Sequence, residues 1–179
     1  MRFLYLLIIA VSNILTAKYS PLVFCEGLMI VPVGSVFVGV TFVLRDFVQM
    51  KHGKRKTYST IFAAIILSAG MSLALGDTAH IAAASAVSFF ASEAADTEIF
   101  SRLKKSLAAR LAVSGIIGGI IDSALFVVIG LSPVGANMLQ WSQVPYAVIG
   151  QTVSKTVVQV IAAGICAWFI ARSGEDSPK

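Results

Sequence analysis

An all-α fold, a membrane bundle of six spanning helices, is what this sequence predicts, and three observations predict it. Hydrophobic residues make up 57% of the 179 residues and charged residues only 13%, with a mean hydropathy of +0.86, far outside the soluble range. Apolar runs of spanning length, about 20 residues for a hydrocarbon core of roughly 30 Å, recur along the chain with short breaks between them. The Lys and Arg residues fall into clusters that an arrangement of six spans collects on one side.

The first run, 2–18, starts with Arg2 and an apolar stretch from Phe3 to Val11 that resembles a signal peptide. It has no small-x-small cleavage site before Lys18, so it reads as a retained helix. The second run covers 28–48 and the third 58–76. The fourth, 79–100, carries Glu93 and Asp96 and follows the third after only Asp77 and Thr78, a pattern that also fits a re-entrant or partly unwound segment. The fifth spans 111–131. The sixth, 145–171, is long for a perpendicular helix and is therefore tilted, or broken near Pro145 or Gly150. Together these runs form a single transmembrane domain over 1–179, with no room for a soluble one.

Lys51, Lys54, Arg55 and Lys56 occupy one connection, and Arg102, Lys104, Lys105 and Arg110 another. With six spans these clusters share a side with Arg2 and Arg172, which makes both termini cytoplasmic by the positive-inside rule. Five or seven spans scatter them over both faces. The formal charge of +5 is accounted for in this way and implies no nucleic-acid partner. Cys25 and Cys166 have neither metal-ligand nor disulfide-framework spacing and read as free thiols.

Charged groups inside a bilayer cost at least about 2.5–3.5 kcal/mol each on insertion scales, so each needs a partner, a wet cavity or a function. At 1.5 Å per residue, Asp122 lies about 16 Å from the start of the fifth span and Lys155 about 15 Å from the opposite start of the sixth. They meet at one depth. Such a pair either neutralises itself as a structural ion pair or opens to receive a polar ligand. Gln151, Lys155 and Gln159 follow at i, i+4 and i+8 and form one polar stripe, directed at a ligand or at neighbouring helices.

Glu93 and Asp96 share a helical face, with a rival reading as partners of Arg102 or Lys105, whereas Glu98 points elsewhere as a solvated charge. Arg45 and Asp46 form either a local ion pair with a snorkelling arginine or part of an inner gate. Asn13, in the middle of the first span, belongs to a polar cavity or a helix contact. His52 and His80 lack a second ligand at metal-binding spacing, so no metal is expected and they read as surface histidines. Gly115, Gly118 and Gly119 with Ser114 and Ser123 make a small-residue packing face. Phe89, Phe90 and Phe126 pack in the core, face lipid or stack on a flat ligand.

Ser12-Asn13, Asp46 with Gly53 seven residues on, the Phe100–Lys104 sequence FSRLK after Glu93 and Asp96, Asp122-Ser123 and Lys155 form an ordered set. As a set, over nearly the whole chain, it resembles the vitamin uptake transporter family better known as the queuosine precursor transporters. The chain departs from the family pattern at Met50, where an acidic residue is common. The resemblance implies a multi-pass protein of the inner (plasma) membrane that imports 7-cyano-7-deazaguanine or 7-aminomethyl-7-deazaguanine. No cofactor is implied.

A guanine-like edge presents two donors that one carboxylate accepts and a carbonyl that needs a donor. Asp122 or Glu93 fits the first role, and Lys155, Gln151 or Asn13 the second; Asp96 is a further acid for a cationic substituent. Two other readings compete. One is a substrate-binding membrane subunit of an energy-coupling-factor vitamin importer, whose ATPase has to be another protein because no P-loop occurs here. The other is a membrane scaffold without substrate. No nucleophile, base and orienting group fall at recognisable spacing, which argues against an enzyme. A narrow bundle also admits a homodimer as partner.

Overall fold

Six helices and one short hairpin account for residues 2–19, 22–24 and 29–173, the part of the chain that the computed structural model describes. Cys25 and the side chain of Cys166 lie outside the described residues, so the free-thiol reading does too. Helix α1 (Arg2–Lys18) is followed by strands β1 (Leu22–Phe24) and β2 (Met29–Val31), then α2 (Ser35–His52), α3 (Lys54–Ala74), α4 (Ala79–Arg102), α5 (Leu107–Leu125) and α6 (Val144–Ser173). A π-helical turn, Phe126–Leu131, continues α5 without a break.

The all-α expectation holds for the bundle, and a short hairpin is added between α1 and α2. Its strands pair antiparallel with Leu22 opposite Val31 and Phe24 opposite Met29. Pro32 disfavours helix at the residue before it, so Met29–Val31 is extended where the second span was expected, and α2 begins at Ser35.

The other ends have local causes. Thr78 caps α4 by accepting from the Ile81 amide at 3.3 Å, and Ser106 caps α5 by accepting from Ala109 at 3.4 Å. Gly53 alone joins α2 to α3 and adopts φ 77°, a conformation glycine takes without steric cost. Pro145 sits in the first turn of α6, where a missing amide donor is harmless, and neither it nor Gly150 breaks that helix. The fourth helix is likewise continuous.

Neighbouring helices alternate in direction. One end of the bundle therefore holds Arg2, the Gly53 connection and the loop 103–106, and we call it the basic end. The opposite end holds the hairpin, the turn 75–78 and the loop 132–143. Helices α1 and α3 run in parallel, tied by Arg2 Nε donating to Thr60 Oγ1 at 2.8 Å and Asn13 Nδ2 donating to Ser68 Oγ at 3.1 Å. Helix α2 meets α6 at Gly39, where an added Cβ would run into the Lys155 carbonyl oxygen. Only glycine permits that approach.

Among the described residues three helices are long and apolar enough to cross a membrane: Lys54–Ala74, Leu107–Leu131 and Val144–Ile165. Their outer faces are apolar and open, as at Phe62, Ile66, Ile120, Val153 and Val157. The inner side is polar: Arg45, Glu93, Asp96, Gln151 and Lys155 are all buried. A soluble protein has the reverse pattern.

Candidate functional site

Lys155 is buried on α6 and Asp122 lies opposite on α5. Lys155 Nζ donates to Asp122 Oδ2 at 2.7 Å, to Ser123 Oγ at 3.0 Å and to Gln151 Oε1 at 3.3 Å. These contacts satisfy all three ammonium protons. The Lys155 side chain is 2% exposed and that of Asp122 is 10% exposed. A cavity touches both residues.

That cavity encloses about 240 Å³ at the centre of the bundle. Ser12, Asn13 and Thr16 of α1, Ser68 and Ser72 of α3, and Ser85 and Ser88 of α4 turn hydroxyl or amide groups toward it. Thr41 of α2 adds another, and Asp122, Gln151 and Lys155 complete the polar wall. Phe89 and Phe126 supply aromatic faces. The volume is below the roughly 300–1,000 Å³ of pockets for drug-sized ligands, which fits a small ring compound. Gln151 accepts from Lys155 through its oxygen, and its Nε2 is buried without a hydrogen-bond partner, an orphan donor beside the cavity.

At the end opposite the basic loops the cavity reaches Pro32, Asp77, Leu131 and Met138. Asp77 accepts a hydrogen bond from Ser72 Oγ. The π-helical turn begins at Phe126, one helical turn on from Asp122 and Ser123, and His80 Nε2 contacts the Ile129 carbonyl at 2.9 Å. Insertions of this type often accompany functional sites.

Glu93 and Asp96 are not in the cavity wall. Both turn to Arg45, which they contact together with Asp46: Nε to Glu93 Oε2 at 3.0 Å, Nη1 to Asp46 Oδ1 at 3.1 Å, and Nη2 to Asp96 Oδ2. Arg45 Nη1 also donates to Thr97 Oγ1 at 3.0 Å and Gln49 Oε1 at 3.2 Å. Neither Arg102 nor Lys105 takes part: Arg102 contacts Glu98 at 3.5 Å, and Glu98 also pairs with Lys54 at 2.5 Å near the surface. Arg45 therefore does not snorkel. It is fully buried at the centre of a four-residue ion cluster.

Several expectations divide on contact. Asn13 lines the cavity and also holds α3, accepting from and donating to Ser68. Gln159, on the same stripe as Lys155, serves packing: its Nε2 donates to the Leu111 carbonyl at 2.8 Å and its amide lies over Gly115. Phe90 leaves the core for Phe62, ring centres 5.7 Å apart, on the outer face. Among the described residues no three His, Cys, Asp or Glu side chains are placed to hold a metal.

The serine and threonine lining was missed in sequence reasoning. Its signal was present as polar pairs at helical spacing, Ser12/Thr16, Ser68/Ser72 and Ser85/Ser88, each fixing one face. The Arg45 cluster was missed as a unit. Arg45 stands seven residues before the end of α2 and Asp96 six before the end of α4, both at the basic end, so the depth argument that pairs Asp122 with Lys155 applies to them equally.

Apolar outer faces, three helices of spanning length and buried charges around an internal cavity define a membrane protein of the transporter type. The family model described as "Putative vitamin uptake transporter" matches residues 69–169, more than half of the chain, and the chain belongs to that family. The match includes Asp122, Gln151 and Lys155, whereas Asn13 and Arg45 precede it. No curated protein and no solved structure matches the chain.

Proposed function

We propose that this protein imports a queuosine precursor, 7-cyano-7-deazaguanine or 7-aminomethyl-7-deazaguanine, binding it in the central cavity between α1, α4, α5 and α6. All six helices cross the inner membrane in this reading, with both termini and the basic end in the cytoplasm. Membership of a vitamin uptake family supports transport of a small polar metabolite. The observation that carries the substrate class is the juxtaposition of Asp122, Lys155 and the orphan Gln151 amide beside two phenylalanine rings.

A 7-deazaguanine is flat and has a donor-donor-acceptor edge. Asp122 accepts from its N1-H and exocyclic amine, and Gln151 Nε2 and Lys155 Nζ donate to its carbonyl. The ligand thereby replaces part of the ion pair's own bonding, which keeps the buried charges satisfied in both states. Phe89 and Phe126 offer stacking faces.

The test is uptake of labelled 7-cyano-7-deazaguanine by cells that lack any other route for it. Uptake by the wild type, lost in Asp122→Asn and Lys155→Gln with both variants still in the membrane, is the expected result. Undiminished uptake by both variants rules the site out.

A further inference from the structure

Four helices share a second register below the cavity. On α1, α2 and α4 the residue four positions nearer the basic end from a cavity-lining residue belongs to, or lies against, the Arg45 cluster: Ile9 gives Tyr5, Thr41 gives Arg45, and Phe89 gives Glu93. On α5 the same step from Asp122 gives Gly118, which lies against the Asp96 Cβ. One helical turn is about 5.4 Å. The cluster is therefore the floor of the cavity, between it and the basic end.

This floor is not charge-balanced. One guanidinium faces three carboxyl groups, and all four side chains are at most 1% exposed. Arg45 contacts one oxygen of each acid; Asp46 Oδ2 and Asp96 Oδ1 are buried with neither a hydrogen bond nor an ion contact, and Glu93 has only the Tyr5 hydroxyl besides Arg45. The other polar groups packed on the cluster are Tyr5 of α1, Gln49 of α2 and Thr97 of α4, none of them cationic. Arg110 of α5 acts on Asp46 from a distance, stacked on Phe100 at 4.0 Å and donating to the Phe100 carbonyl. Asp122 of α5 acts on Glu93 from the cavity side, and its own charge is met by Lys155. Two unbalanced negative charges sealed from water are not sustainable, and a guanidinium does not supply more than one positive charge. Because Arg45 occupies the space between the carboxyls, the missing positive charge is carried by protons on the oxygens themselves.

We propose that the Arg45–Asp46–Glu93–Asp96 cluster is a proton-loaded inner gate that couples uptake to proton entry. The coupling rests on the import reading above; the proton loading does not. In the closed state two of the three carboxyls are protonated and Arg45 holds α2 against α4. A proton enters from the outer solution through the cavity, past Ser85 and Ser88, and binds a cluster carboxylate. Loss of that proton toward the cytoplasm leaves the cluster with net negative charge, which burial disfavours, so α2 and α4 part and the floor opens. The substrate leaves by the same opening. One proton leaves the outer water and one arrives in cytoplasmic water per cycle, and Arg45 keeps its charge throughout.

Two measurements on the purified full chain test this. Infrared spectroscopy at neutral pH reads the carboxylic C=O stretch, which is distinct from the carboxylate bands and shifts in heavy water. The wild type shows this band, Glu93→Gln weakens it, and Glu93→Asp, which keeps a titratable group, restores it. Absence of the band, or its loss only in Asp122→Asn, overturns the proposal. In proteoliposomes an outside-acid gradient accelerates wild-type uptake of labelled 7-cyano-7-deazaguanine; Glu93→Gln loses the acceleration and Glu93→Asp regains it. Acceleration by sodium and not by protons overturns the proposal, as does uptake indifferent to either gradient. Absence of uptake in a wild type that shows the band supports the proton site and counts against the substrate alone.

Discussion

Replacing Lys155 by Met keeps most of the side-chain volume and removes the charge that neutralises Asp122. Three contacts disappear with the ammonium, at 2.7, 3.0 and 3.3 Å. Removal of one partner from a buried ion pair typically costs about 3–5 kcal/mol, because the other is left uncompensated. Asp122 borders the cavity and is 10% exposed, so water or a proton relieves part of this and the expected loss is about 3 kcal/mol. Adding Asp122→Asn to Lys155→Met removes the stranded charge. The double variant should recover to within about 1 kcal/mol of the wild type, about 2 kcal/mol more stable than Lys155→Met alone. The assay is reversible unfolding in mixed micelles followed by circular dichroism, over the wild type, both single variants and the double. A Lys155→Met protein as stable as the wild type, or a double variant whose loss equals the sum of the singles, would refute the claim that the two charges depend on each other.

Other consequences follow from single contacts. Gly39→Ala pushes a methyl group into the Lys155 carbonyl, backbone against backbone, and should cost at least about 1–3 kcal/mol in the same unfolding assay; a neutral change would mean α2 and α6 do not meet there. Ser68→Ala breaks the link to Asn13 and should cost only about 0.6 kcal/mol, typical of a polar contact between membrane helices, while weakening binding at the cavity wall. His52 sits at the basic end, where partial burial first and then Lys56 and Lys51 hold its titration below the ordinary histidine value. Its ring signals in a pH series should therefore show a neutral imidazole at pH 7 and a midpoint under 6.5.

How far the sequence was legible depends on the length scale of each feature. Helix positions follow from apolar runs and caps, so five of the six helices begin within four residues of their expected starts; α2 is the exception, since Pro32 acts through backbone sterics that hydropathy does not register. The Asp122–Lys155 pair was readable because both depths are fixed by helical rise from opposite ends. The partners of Glu93 and Asp96 were not, because Arg45, Arg102 and Lys105 are all chemically suitable and only helix rotation selects among them. Depth along α6 decides that Gln159 packs on Gly115 while Gln151, two turns away on the same stripe, borders the cavity. The π-helical turn that extends α5 leaves no sequence signature.

Equilibrium binding of labelled 7-cyano-7-deazaguanine to the purified wild type and to Asp122→Asn, Lys155→Met and Gln151→Ala reaches the central claim most directly. Saturable binding by the wild type, abolished by either charge change and weakened by loss of the Gln151 amide, is the predicted result. Binding that survives in both charge variants places the ligand elsewhere and contradicts the account.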